Sequence, residues 1–128
     1  MKKKILVVED FASIRTFVCE TLNRKGYETV GAANSKEAMK ILNEKSEEID
    51  LVLTDYNMPD GTGYELLKKI KSNPATVKIP VIFLTTESSP DKMKLAKDAG
   101  LSAWIKKPYR AENFFEQIER AMSGKVLV

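Results

Sequence analysis

The chain contains no histidine in 128 residues. That excludes a histidine-based catalytic triad, a histidine zinc site and any phosphohistidine of its own. A single cysteine, Cys19, rules out an internal disulfide framework. Its position in a helical pattern predicts a packed thiol, and a reducing, cytoplasmic setting fits. No apolar run is long: after the basic start, "ILVV" gives way at once to Glu9 and Asp10, too soon for a signal-peptide core or a membrane span. Nor is one charge in large excess, since 21 Lys and Arg against 18 Asp and Glu leave only +3. That balance gives no nucleic-acid footprint, so neither nucleic acid nor membrane is expected as a partner. Linkers, repeats and low-complexity tracts are missing too. At 43% hydrophobic, one domain over residues 1–128 with a single core is expected, and the tail "SGKVLV" is too short for an output module.

What is present is a regular alternation. Short apolar runs at 5–8, 51–53, 81–84 and 103–105 read as buried strands, and "ETVGAA" at 28–33, interrupted by Gly31, as a strand nearer the sheet edge. Helical stripes lie between them. Ile14, Phe17, Val18, Thr21 and Leu22 form the first, closed by Gly26; Ser35 is the expected N-cap of the second, with Ala38, Ile41 and Leu42 inward. Leu66, Leu67 and Ile70 mark the third. Pro90 opens a fourth, with Met93, Ala96 and Ala99 inward and Gly100 at its end, and Phe114, Ile118, Ala121 and Met122 mark the fifth. Continuously apolar strands alternating with helices predict an α/β fold, a doubly wound parallel sheet covered on both faces.

The chemistry collects at one edge of that sheet. Glu9 and Asp10 follow the first strand, Asp55 the third, Thr85 the fourth and Lys107 the fifth, and ligands of open α/β sheets bind beyond the carboxyl ends of the strands. Singly, Asp55 would serve as a turn former, Thr85 as a strand end and Lys107 as a solvated lysine. Together they make a complementary set. Three carboxylates within about 4–5 Å repel by about 4 kcal/mol per close pair at an effective dielectric near 20. Lys107 offsets part of this, and an all-oxygen site suits Mg²⁺, although raised carboxyl pKa values are another outlet. Such a site favours making an acyl phosphate on a carboxylate: Asp55 as nucleophile, Lys107 balancing charge and Thr85 donating a hydrogen bond to the transferred group.

Glu9-Asp10, "DYNMPDGTG" from Asp55 to Gly63, Thr85 and Lys107-Pro108 together resemble a response-regulator receiver domain, of the stand-alone chemotaxis (CheY-like) type, over nearly the whole chain. The resemblance implies a flavodoxin-like (βα)5 sheet in the order 2-1-3-4-5. It implies phosphotransfer to Asp55 from a phosphohistidine on a sensor histidine kinase or histidine phosphotransfer protein, and self-catalysed dephosphorylation. Mg²⁺ would be held by Asp10, Asp55, the carbonyl of Asn57 and, through water, Glu9. The Lys107-Pro108 bond would be cis. Thr85 would couple to Trp104 as a switch, with the ring turning inward, and the face of the fourth helix, fifth strand and fifth helix would dock a downstream target. Its surplus of lysines suggests an acidic one. Asn57 and Glu87 would tune acyl-phosphate lifetime, and Thr86, where the family has a small residue, would restrict access. A monomer or weak dimer is expected, acting as a switch protein and not as an enzyme on other substrates.

Other readings have specific tests. A phosphorylation-independent interaction module would not need Asp55, Thr85 and Lys107 together. An aspartyl-nucleophile phosphohydrolase needs a second Asp two residues on, where Asn57 stands. A flavin module needs a neutral phosphate loop after the first strand, which "EDFAS" is not.

Overall fold

The structure, a computed structural model, describes residues 2–124; the tail beyond Gly124 lies outside the described residues. The strands are β1 (Lys4–Val8), β2 (Glu28–Ala32), β3 (Leu51–Thr54), β4 (Val81–Thr85) and β5 (Ala103–Lys106). The helices are α1 (Ala12–Arg24), α2 (Ser35–Lys45), α3 (Gly63–Lys71), α4 (Pro90–Asp98) and α5 (Ala111–Met122). The five strands are all parallel, in the order β2-β1-β3-β4-β5. The order reverses at β1, where β2 lies on one side and β3 on the other.

Alternation along each strand sorts side chains between two cores. Leu6, Val8, Val52, Val81, Phe83 and Trp104 pack with Leu42, Leu66, Leu67, Ile70 and Ala96 of α2, α3 and α4. Ile5, Val7, Leu51, Leu53, Ile82 and Ile105 pack with Val18, Leu22, Phe114 and Ile118 of α1 and α5. Each large side chain buried this way contributes about 1.5–3 kcal/mol.

Two details differ from the sequence reading. The N-cap of α2 is Asn34, whose side chain accepts from the Glu37 amide, while Ser35 is already helical. The reason lies across the crevice: Asp60 accepts from the amides of Ser35 and Lys36, each at 3.0 Å, and so fills the helix end from outside. Slight burial works to raise the Asp60 pKa, but those two amides, with Asp60's own amide and the Lys69 charge, together hold the carboxyl below its ordinary value. In α1, Val18 and Leu22 are buried, but Ile14 and Phe17 face solvent at 37% and 58% exposure. The helix meets the sheet along a narrower stripe than its apolar periodicity suggests. Gly26 and Gly100 adopt the positive φ expected of helix ends, +104° and +101°.

Candidate functional site

The same alternation that divides the cores divides the crevice. Glu9 continues the parity of Ile5 and Val7, Asp55 that of Leu51 and Leu53, and Lys107 that of Ile105, so all three lean toward the α1 and α5 face. Their side chains, with Ile14, Val18 and Leu84, enclose a gap of about 10 Å³, close to the space one water occupies. Thr85, Tyr56 and Trp104 have the opposite parity and belong to the α4 side.

Glu9 is 4% exposed. Its Oε2 accepts from the Asp10 amide at 3.1 Å, whereas Oε1 is buried with no hydrogen-bond partner, only the Lys107 ammonium 3.8 Å away. Burial, then the Asp55 charge, push its pKa up to about 7, against the pull of Lys107. Lys107 thus lies nearest Glu9, and its amide extends the ladder to the Thr85 carbonyl at 2.9 Å. The Lys107-Pro108 peptide is cis.

Asp55, half-buried, accepts at Oδ1 from the Tyr56 amide (2.6 Å) and the Asn57 amide (3.4 Å). Among the described residues no hydrogen bond engages its Oδ2. The loop beyond Asp55 folds back through a short antiparallel ladder, Asn57–Met58 with Gly61–Thr62, and Thr62 starts α3 with a reciprocal capping box to Glu65. Gly63 then presses against the loop that carries Asp55. A Cβ there would stand 2.7 Å from the Asp55 carbonyl oxygen and 3.1 Å from Tyr56 Cα. Backbone cannot yield as a flexible side chain can, so Gly63→Ala is expected to destabilise by about 1–3 kcal/mol, read as a lower urea midpoint; an unchanged midpoint would show that α3 can retreat.

On the α4 side, Thr85 is fully buried and its Oγ1 accepts from the Glu87 amide at 3.2 Å, which leaves its hydroxyl hydrogen available. Trp104 is already inward, at 8% exposure. Its indole N–H donates to the Glu87 carbonyl at 3.0 Å, and its ring lies 5.7 Å from Tyr56 and 5.3 Å from Phe83. The carboxylate of Glu87 is held by Lys92 at 2.8 Å, and Lys92 sits 5.2 Å over the Tyr56 ring. Thr86 and Asn57 are exposed at the rim. The sequence reading missed Tyr56, a link between Asp55 and the Trp104 cluster. Its strand parity was the available signal.

Sequence reasoning placed three carboxylates in mutual contact. Among the described residues, no three Asp, Glu, His or Cys side chains converge as metal ligands by themselves. Lys107 draws Glu9 to one side and the backbone amides draw Asp55 Oδ1 to another. That arrangement still suits Mg²⁺, which takes one or two carboxylates and completes its shell with water and carbonyl oxygens. The unpartnered, buried Oε1 of Glu9 is the atom whose desolvation a cation would relieve.

A doubly wound α/β domain with an acidic crevice at its topological switch point, bounded by a threonine and a lysine, is therefore what fold and site define. The profile of the response regulator receiver domain matches residues 5–119. Chemotaxis protein CheY1 of Helicobacter pylori (strain ATCC 700392 / 26695) is 35% identical over 117 residues, covering 91% of this chain and 94% of that protein. The solved structure of chemotaxis response regulator CheY4 of Vibrio cholerae crystallised at low pH superposes with a TM-score of 0.87 at 34% identity, over 94% of this chain and 99% of that one. A receiver domain protein from Clostridium thermocellum gives 0.88 at 32% identity, over 95% of each chain. The chain belongs to the response regulator receiver domain family, and its similarity is to the CheY-like members of two-component signalling.

Proposed function

We propose that the chain is a cytoplasmic phosphoacceptor switch that takes a phosphoryl group onto Asp55 from the phosphohistidine of a sensor histidine kinase or histidine phosphotransfer protein. The observation that carries this reading is the buried, unpartnered Glu9 Oε1 beside Lys107, at the rim that also presents Asp55. Amides fix Asp55 Oδ1, so Oδ2 is the attacking atom: an Oδ2–P bond forms as the N–P bond of the donor breaks and the imidazole leaves with its electron pair. The Lys107 ammonium balances charge on the transferred oxygens, and the Thr85 hydroxyl donates to one of them. Glu9, Asp10, Asp55 and the Asn57 carbonyl would hold Mg²⁺, which when bound would neutralise the carboxylates and the incoming phosphoryl oxygens. Water then hydrolyses the acyl phosphate at a rate tuned by Asn57, Glu87 and Thr86.

The message leaves through the face of α4, β5 and α5. There Lys94, Lys97 and Lys106 are exposed and Leu95 is 52% exposed, which fits an acidic target with an apolar contact. When the Thr85 hydroxyl turns to the phosphoryl group, the Glu87 amide loses its acceptor, and the Trp104 indole rests on that same peptide. Incubation with a small acyl-phosphate donor and Mg²⁺ should add one phosphoryl group by intact mass and change the emission of Trp104, the only tryptophan. Phosphate release from many esters without an adduct would point to a phosphohydrolase instead. No adduct and no release would leave a phosphorylation-independent module.

The donor protein would dock beside Lys107. Ile14, Phe17, Pro108, Tyr109 and Ala111 line an apolar groove of about 510 Å³ that reaches Lys107 itself. Phe17→Ala is expected to slow transfer from a phosphorylated kinase by on the order of tenfold while leaving labelling by a small acyl phosphate unchanged. Equal slowing with both donors would place the defect in the site instead of the groove.

A further inference from the structure

Gly31 stands in the middle of a strand, where glycine weakens the sheet, and its backbone does not need it: its φ is not in the left-handed region. Its space is used by Arg15. A Cβ at Gly31 would lie 3.0 Å from Arg15 Cδ and 3.4 Å from both Cγ and Nε. Gly31 pairs with Val7, whose side chain enters the α1 and α5 core, so the vacancy faces α1 and the arginine stem lies flat across the edge strand. From that seat Arg15 Nη1 donates to the carbonyl of Glu9 at 2.7 Å, a short charge-assisted bond.

Glu9 is thereby held on three sides. Its amide donates to the Ala32 carbonyl at 2.9 Å, its carbonyl accepts from Arg15, and its Oε2 accepts from the Asp10 amide. Only Oε1 is left over, and it is the atom facing Lys107. Neither Arg15 nor Gly31 contributes an atom to the lining of the gap between Glu9, Asp55 and Lys107. We propose that Arg15, seated on Gly31, is a positioning residue that braces the Glu9-Asp10 loop in the arrangement that holds Mg²⁺. This rests on the magnesium reading of the site given above.

Two residues on different elements should therefore share one phenotype. Arg15→Ala is expected to weaken Mg²⁺ binding by about ten- to a hundredfold in calorimetry, the usual cost of losing a group that orients a ligand. Arg15→Lys, which keeps a donor on a comparable stem, should recover most of the loss. Gly31→Val should mimic Arg15→Ala by displacing the stem, yet add nothing in the Arg15→Ala background. In the metal-free chain, the Asp10 amide, bonded to Glu9 Oε2, should exchange faster with solvent in both single variants.

Unchanged Mg²⁺ affinity in Arg15→Ala, or an equal loss from Gly31→Val in both backgrounds, would overturn the brace. If the parent chain itself takes up no Mg²⁺, the magnesium reading fails. Hydrogen exchange at Asp10 then still decides whether Arg15 braces the loop, since unaltered exchange in both variants refutes it.

Discussion

Asp55→Asn should gain no phosphoryl group under conditions that fully modify the parent chain. The amide is nearly the same shape, so it keeps an acceptor oxygen for the Tyr56 amide now bonded at 2.6 Å, and the fold should be preserved. What it lacks is the free carboxylate oxygen proposed to attack. The loss of labelling should be complete and not partial, because no neighbour can substitute. Glu9 is bonded through one oxygen and buried at the other, while Asp10 sits at the start of a different loop. Lys107→Met should retain a slow reaction, reduced by on the order of a hundredfold or more, since it removes charge stabilisation of the transferred group and not the nucleophile. Residual labelling of Asp55→Asn at another residue, located by peptide mapping, would show that the attacking group has been misassigned.

Glu9 sets the second large expectation, a pH dependence with an unusual sign. Its carboxyl is raised from 4.5 to about 7 in the folded, metal-free chain, first by burial and then by Asp55. Between those values the native chain keeps a proton that the unfolded chain has released. Stability from this group is therefore present at low pH and falls as pH climbs through that window. By proton linkage the loss is on the order of 3 kcal/mol. Asp60 works oppositely, since its lowered pKa makes stability fall only as pH drops below the ordinary aspartate range.

In Glu9→Gln the slope between pH 5 and 8 should largely vanish, and the variant should be more stable than the parent at pH 8 without metal. Mg²⁺ should raise the parent's urea midpoint at pH 8 far more than at pH 5, where Glu9 is protonated. Urea titrations at both pH values, with Mg²⁺ and with a chelator, give all four numbers. The same pH slope in Glu9→Gln as in the parent would remove Glu9 from this role.

Much of this is legible in the sequence. The strands could be read because buried parallel strands are continuously apolar, and the crevice because each strong strand ends in a chemically useful residue. Gly31 marked the edge strand correctly, but its reason, the Arg15 stem, is a contact between elements that no periodicity carries. The same holds for Asp60, which reads as an ordinary turn residue in "MPDG" and instead caps α2 from across the crevice. The exposed Ile14 and Phe17 misled for a related cause: an apolar helical stripe records what is apolar, not which part of it the sheet covers. Trp104 needed a partner for its indole nitrogen, and that partner is a backbone carbonyl, which has no signature in sequence.

The most direct measurement is peptide-resolved mass spectrometry of the chain after exposure to a small acyl-phosphate donor, with Mg²⁺ and with a chelator in its place. One labile phosphoryl group on Asp55, formed with Mg²⁺ and nearly abolished by the chelator, is the expected result. An unlabelled Asp55 in the presence of Mg²⁺, or labelling that ignores the chelator, would contradict the idea that this acidic rim works as a cation-dependent phosphoryl acceptor.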